Sequence, residues 1–308
     1  MPVGIPLKRF WRFNVSAEII DGKQIATEIR SKLAEEIISL SSHGVPGLAV
    51  VLIGNNPASE VYVRMKKKAC SDIGVNSYEY SFGEDYGEEN LLKLIDELNN
   101  DSKINGILVQ LPLPRGYDEK KVIEAISPLK DVDGFHPENL GRIVIGDRDC
   151  FQPCTPYGCQ IMIKRTVKNL KGKHVVIVGR SNIVGKPLAN MLVQKNDMAN
   201  CIVTVCHSAS EDISKFTLQA DILVAAAGSP GLIKADMVKP GAVVIDVGTN
   251  RVDDPENPGK CKLVGDVDFE AVKEVAAAIS PVPGGVGPMT ITMLLENTVK
   301  AFRLHNDI

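Results

Sequence analysis

At 308 residues, 44% hydrophobic and 24% charged, the chain has the length of two ordinary domains and enough apolar material for two cores. A formal net charge of −3 offers no global basic field to nucleic acid or an anionic membrane, and no apolar run reaches the length of a membrane span. The 7 cysteines are scattered and form no C-x-x-C pair, which argues against a zinc ribbon or a disulfide framework and for a reducing compartment.

Residues 1–17 carry Lys8, Arg9 and Arg12, no acid and no long apolar core. They read as a disordered leader on a cytoplasmic protein. The alternative, a short mitochondrial presequence, is disfavoured by scarce serine and weak amphipathicity. From Asp21 to Leu40 apolar residues recur at helical spacing (Ile25, Ile29, Leu33, Ile37). Leu48 to Ile53 is continuously apolar and stops at Gly54, as suits a strand covered on both faces. Helices are predicted near Ala58 to Ile73, closed by Gly74, and near Glu88 to Asn99, followed by a buried strand from Gly106 to Gln110. Leu111-Pro112-Leu113-Pro114 cannot extend a ladder, because proline lacks the amide donor. A short helix is predicted from Glu119 to Ile126, a polar, turn-rich stretch from Lys130 to Arg142, and a linking helix near Pro156 to Thr166.

The second half restarts the alternation. Val175–Val178, Ile202–Cys206, Ile222–Ala226 and Val243–Val247 read as four buried strands. The run from Pro281 to Pro288 is too rich in proline and glycine for either element, and the last helix is predicted to start after Pro288. The fold class that follows is α/β.

Val175 to Pro187 is a strand, a turn and a helix start, which aims backbone amides and a positive helix end at an anion. Gly179 permits the sharp turn and Gly185 a close helix–sheet approach, although the spacing is neither G-x-G-x-x-G nor a Walker loop. Taken alone, such a turn can also be ligand-free. Arg180 stands where an NADP-binding turn places a cation, and His207-Ser208 ends the next strand without an acid to hold a free ribose hydroxyl. Gly228 and Thr249, at later strand ends, are further candidates for the cofactor groove.

In the first half, Tyr62 and Lys66 are four apart and share a helix face. A lone lysine is usually a solvated charge. Gln110 raises its interest, as a polar residue at the carboxyl end of a buried strand, where open α/β sheets bind ligands. An aspartate in Asp131-Val132-Asp133-Gly134 is a third candidate. Spacing does not choose between Asp131 and Asp133, and either could simply make an Asx turn.

Five segments in one order carry a resemblance: Tyr62–Lys66, Gly106–Pro114, Lys130–Gly134, Gly179–Pro187 and Pro281–Thr290. Over about Ile19 to Leu304 the chain resembles the bifunctional methylenetetrahydrofolate dehydrogenase/cyclohydrolase family. The resemblance implies a catalytic α/β domain (residues 18–157 and 288–308), a Rossmann-like NADP-binding domain (158–287), and a C-terminal helix returning to the first. It implies NADP-dependent oxidation of 5,10-methylenetetrahydrofolate and hydrolysis of the methenyl product, in a homodimer. Lys66 would be the general acid/base, Tyr62 would stack on or orient the folate, and Gln110 would bond Lys66. Asp133 would bind the pterin edge, with Ser59, Pro283 and Gly284 lining the same site. Arg180, Ser181 and Ser208 would meet cofactor phosphates, and Thr290 the nicotinamide end. Ser208 stands where family members using NAD with phosphate and magnesium carry a second arginine, which favours NADP without metal. Two rival readings remain: an NADP dehydrogenase of another small substrate, and a silent nucleotide-binding protein.

Overall fold

The computed structural model describes residues 16–308 except 256 and 258. The elements in order are β1 (Glu18–Ile19), α1 (Gly22–Ser39), β2 (Gly47–Ile53), α2 (Pro57–Ile73), β3 (Asn76–Phe82), α3 (Glu88–Asn100) and β4 (Gly106–Val109). Then come α4 (Glu119–Ala125), α5 (Pro137–Ile145), α6 (Cys154–Thr166), β5 (His174–Val178), α7 (Gly185–Leu192) and β6 (Ile202–Cys206). The chain ends with α8 (Ser214–Thr217), β7 (Ile222–Ala225), β8 (Val243–Asp246), β9 (Asn250–Asp253), β10 (Cys261–Val264), α9 (Phe269–Val272), β11 (Ala278–Ile279) and α10 (Val286–His305).

Two parallel sheets and one hairpin result. β2 lies between β3 and β4, and every residue of β2 is buried, as its unbroken apolar run requires. The second sheet has the order β1-β11-β8-β7-β5-β6, and all its pairings are parallel. β9 and β10 pair antiparallel beside it. In the larger sheet the chain leaves β5 for β6 on one side and then crosses to β7 on the other. That reversal makes the carboxyl ends of β5 and β7 the place where a ligand crevice forms.

The last helix is buried on most of its faces because residues such as Met289, Met293, Leu294, Leu295 and Val299 carry no charge to keep it in water. It packs against α1, α2, α6 and β4, so the C-terminus returns to the first sheet. α10 starts at Val286, three residues before the expected point, with Pro288 inside its first turn, where a missing amide costs nothing. α5 begins within the stretch read as turns and runs three residues past its end. Pro137 opens it, the His136 ring nitrogen accepts from the Glu138 amide, and left-handed Gly146 closes it. β6 was expected to be buried but is an edge strand, with Ile202 61% exposed. β3 went unread because it too is an edge and alternates polar with aromatic residues.

The expected leader lies outside the described residues except for Ser16 and Ala17. Ala17 is buried, and its amide donates to the Lys273 carbonyl at 2.7 Å. No described helix is long and apolar enough to cross a membrane.

Candidate active site

α2 brings Ser59, Tyr62 and Lys66 to one side of the first sheet. Ser59 is buried in the first helical turn, and its amide donates to Asn56 Oδ1 at 3.4 Å. Tyr62 is 37% exposed, one turn before a Lys66 that is only 8% exposed. Burying an ammonium is costly without an acceptor, and Gln110 supplies one: Lys66 Nζ donates to Gln110 Oε1 at 2.9 Å. Gln110 is held in turn through its amide nitrogen, which donates to the Leu111 carbonyl at 2.7 Å.

Asp133 completes the cluster. Desolvation pulls the Lys66 pKa below the ordinary lysine range, and the negative field of Asp133 partly offsets it. Burial pushes the Asp133 carboxyl up, against the opposing pull of Lys66 and of the Cys154 thiol beside it. Cys154 is held protonated by burial and by the same carboxylate. An amine that can shed its proton, a partnering amide and a carboxyl group have the chemistry that a proton-transfer set needs.

The ambiguity between the two aspartates resolves by their partners. Asp131 is the turn builder: its carboxylate accepts from the amides of Gly134, Phe135 and His136 and from Asn139 Nδ2 at 2.8–3.2 Å. Asp133, displayed by that turn, is the one in the field of Lys66.

The turn after β5 has the features of an anion site. Gly179 has φ +132°, and a Cβ there would strike the carbonyl of Ala226. A Cβ on Gly185 would strike Gly179 itself, so helix and turn touch backbone to backbone. The amides of Arg180, Ser181, Asn182 and Ile183 take no protein acceptor among the described residues, and the Arg180 side chain is exposed without an ion pair. Ser181 Oγ accepts from the Val184 amide at 3.1 Å, which shapes the turn. Free amides, a helix start and an unpaired guanidinium fit a dinucleotide's phosphates.

The other expected cofactor residues lie on other elements. His207 and Ser208 end β6, with the Ala209 amide on His207 Nδ1 at 3.2 Å and Ser208 exposed. Thr249 is exposed after β8. Gly228 follows β7, but its amide is committed to Asp266 at 2.9 Å. Thr290, on α10, shares a 2.9 Å hydroxyl contact with Thr155, the neighbour of Cys154, which links the start of α10 to the Lys66 cluster. Pro283 is exposed and Gly284 half-buried just before α10, and the Gly284 carbonyl accepts from the Lys23 amide at 3.0 Å. No hydrogen bond among the described residues ties either to Lys66.

A cleft of about 1150 Å³ opens between Ser181–Ile183 and α7 on one wall and α4, Phe135 and α5 on the other. Its lining reaches Leu111 but not Gln110 or Lys66, so the proton-transfer set lies beyond its edge. Sequence reasoning missed three residues that shape the site: Asp266, Asn297 and Cys154. Cys154 alone had a local signal, in Cys154-Thr155-Pro156.

Comparison with known proteins agrees with this fold. Residues 20–133 match the tetrahydrofolate dehydrogenase/cyclohydrolase catalytic domain, and residues 153–306 match the NAD(P)-binding domain of the same description. The bifunctional protein FolD of Pelodictyon phaeoclathratiforme is 55% identical over 94% of this chain and 99% of its own. That of Geotalea uraniireducens is 58% identical over 92% of this chain and 98% of its own. The crystal structure of the Campylobacter jejuni FolD dehydrogenase/cyclohydrolase superposes with a TM-score of 0.88 at 46% identity, covering 94% of this chain and 99% of that one. The Trypanosoma brucei FolD structure, complexed with NADP cofactor and inhibitor, gives 0.88 at 38% identity, covering 94% and 98%.

Proposed function

The chain belongs to the tetrahydrofolate dehydrogenase/cyclohydrolase family, and on that premise we propose that it oxidises 5,10-methylenetetrahydrofolate with NADP and hydrolyses the methenyl product to 10-formyltetrahydrofolate, with Lys66 as the proton carrier. The observation that carries this reading is the 2.9 Å bond between Lys66 and Gln110 in a buried setting that depresses the lysine pKa.

NADP, when bound, accepts the hydride. Arg180, Ser181, Ser208 and the free amides after Gly179 would hold its phosphates, and Thr290 would meet its nicotinamide end. Hydride loss leaves the folate carbon cationic, and that positive charge beside Lys66 favours the neutral amine. Neutral Nζ takes a proton from the water that attacks this carbon. The resulting ammonium delivers a proton to the ring nitrogen as its carbon–nitrogen bond opens, and the hydroxyl proton leaves as the formyl group forms. Gln110 keeps Nζ aimed through both transfers. Tyr62, exposed beside Lys66, offers a face for the pterin or benzoyl ring, while Asp133 accepts hydrogen bonds from the pterin edge. Ser59, Pro283 and Gly284 line this site.

Residues 18–157 with 288–308 serve as the folate-binding unit and 158–287 as the cofactor-binding unit of a cytoplasmic homodimer. The open edge of β6, with Ile202 exposed, supports a contact between cofactor-binding units.

The test is a spectrophotometric assay with 5,10-methylenetetrahydrofolate and either NADP or NAD, followed by separate hydrolysis of the methenyl compound. Both steps proceed, with NADP preferred. Lys66→Gln lowers hydrolysis by about 10²-fold or more, the usual worth of a positioned proton carrier. Full hydrolysis by that variant removes Lys66 from its role, and no turnover by the folded parent protein removes the reading altogether.

A further inference from the structure

The reversal of the larger sheet sets the loop after β5 against the loop after β7, where Gly179 meets the Ala226 carbonyl, and the amides of the two loops are committed differently. After β5 the amides are free. After β7 three successive amides, those of Ala227, Gly228 and Ser229, converge on the Asp266 carboxylate at 2.6, 2.9 and 2.9 Å. Successive backbone amides that converge in this way form a nest, the same device that binds phosphate in nucleotide sites. Here the protein fills it with its own side chain. Asp266 is fully buried, and Asn250 Nδ2 adds a fourth donor at 2.8 Å.

The carboxylate is itself fixed from below. The Asp266 amide donates to Asp246 Oδ1 at 2.9 Å, and Asp246 also accepts from the amides of Gly248 and Val267 at 3.0 Å each. Gly248 has no room for a Cβ because Asp266 occupies the space. The nest is continuous with Ala226, whose carbonyl lies directly against Gly179 of the phosphate turn. A displacement of residues 227–229 is therefore passed to Gly179.

We propose that Asp266 is a positioning residue for the cofactor: its carboxylate occupies the amide nest after β7, closes that turn to the cofactor's phosphates, and fixes the wall on which the phosphate turn after β5 is seated. This rests on the reading of the larger sheet as NADP-binding. The division of labour explains why Gly228 has no amide to offer and why the cationic residue Arg180 lies on the other loop. The Lys66 cluster shares none of these contacts, so hydrolysis of the methenyl compound does not depend on Asp266.

The experiment uses the full-length protein with Asp266→Asn and, separately, Asn250→Ala. NADP affinity is measured by calorimetric titration, and methenyl hydrolysis is assayed without cofactor. Asp266→Asn keeps the shape but turns an amide N–H toward the nest, and NADP binding weakens about tenfold or more while hydrolysis stays within about twofold. Asn250→Ala removes one donor of four and shifts NADP affinity in the same direction by about threefold. Unchanged NADP affinity in Asp266→Asn, or hydrolysis falling in step with it, overturns the proposal. If Asp266→Asn does not fold, Asn250→Ala decides: a selective loss of NADP affinity supports the proposal, and no loss overturns it. A parent protein that binds no NADP removes the functional reading and this proposal together, whereas a binding parent with an indifferent variant removes the proposal alone.

Discussion

Asn297 and Val132, 165 residues apart, are joined by a 2.8 Å hydrogen bond from the Asn297 side-chain nitrogen to the Val132 carbonyl. The same nitrogen donates to the Gln152 carbonyl at 2.9 Å. The last helix thus clamps the turn that displays Asp133 to the segment that leads into Cys154. Asn297→Leu keeps the volume and takes this donor from both carbonyls, one buried and one part-buried. The variant loses about 1–3 kcal/mol of stability, the range for one unsatisfied buried group, because the Val132 carbonyl keeps the Cys154 thiol as a donor and the Gln152 carbonyl is only part-buried. Chemical denaturation measures that loss, and the folate KM rises as Asp133 drifts. A variant as stable as the parent would show that water replaces the amide at no cost.

With Lys66 in the proposed role of proton carrier, its protonation sets the pH dependence of hydrolysis. Burial lowers the lysine pKa, so the neutral amine appears at a pH below the ordinary lysine range. Hydrolysis rises with pH through that lowered value, whereas hydride transfer, which needs no proton from Lys66, does not follow the same curve. Gln110→Leu removes the acceptor on Nζ, disfavours the ammonium further and moves the rise to lower pH, with a fall of about 10–100-fold in kcat because the amine is no longer aimed. Rate–pH profiles of the two half-reactions in parent and variant check this, and an unmoved profile would remove Gln110 from the proton-transfer set.

The phosphate turn is sensitive to a single methyl group. Gly185→Ala drives a Cβ into the backbone of Gly179, and neither partner is a flexible side chain that can step aside. Overpacking of this kind costs about 1–3 kcal/mol. The strain falls on the turn whose free amides are proposed to meet the cofactor, so NADP affinity drops about tenfold or more while methenyl hydrolysis is largely kept. Equal losses in both activities would mean that the turn and the Lys66 cluster are mechanically one unit.

The parts legible in the sequence are those written locally. Unbroken apolar runs announced β2, β4, β5, β7 and β8 because such strands are covered on both faces. The four-residue spacing of Tyr62 and Lys66, and a glutamine ending a buried strand, single out residues that the fold brings together in the Lys66–Gln110 bond. β1 and β11 are two residues each and exist only through their pairing, so no periodicity reveals them. Asp131 and Asp133 look alike in sequence, and only the direction of neighbouring amides separates a turn builder from a displayed carboxylate. Asp266 and Asn297 act over 39 and 165 residues, beyond the reach of any local pattern.

Away from the candidate site, Glu296 on α10 makes a pH-dependent contribution to stability. Its Oε1 accepts from the Tyr157 hydroxyl at 2.8 Å, beside a polar cavity of about 400 Å³ that also touches Lys300 and Arg303. Burial raises its pKa above the usual glutamate range. Glu36 adds to the rise, while Tyr157, Arg303 and Lys300 oppose it. The folded state therefore holds a proton on Glu296 at pH values where the unfolded chain has released it. Since the slope of stability with pH follows protons bound in the unfolded state minus those in the folded state, this group stabilises fully at low pH and loses that contribution as pH rises through its folded pKa. Glu296→Gln keeps an acceptor for Tyr157 and cannot ionise. The Tm of the parent relative to this variant is highest near the acid end of the folded range and declines toward neutrality, by a few degrees for each kcal/mol involved. Melting curves of both proteins across matched buffers measure the difference. A gap that is flat, or that widens with pH, would mean that the cavity's cations hold Glu296 ionised.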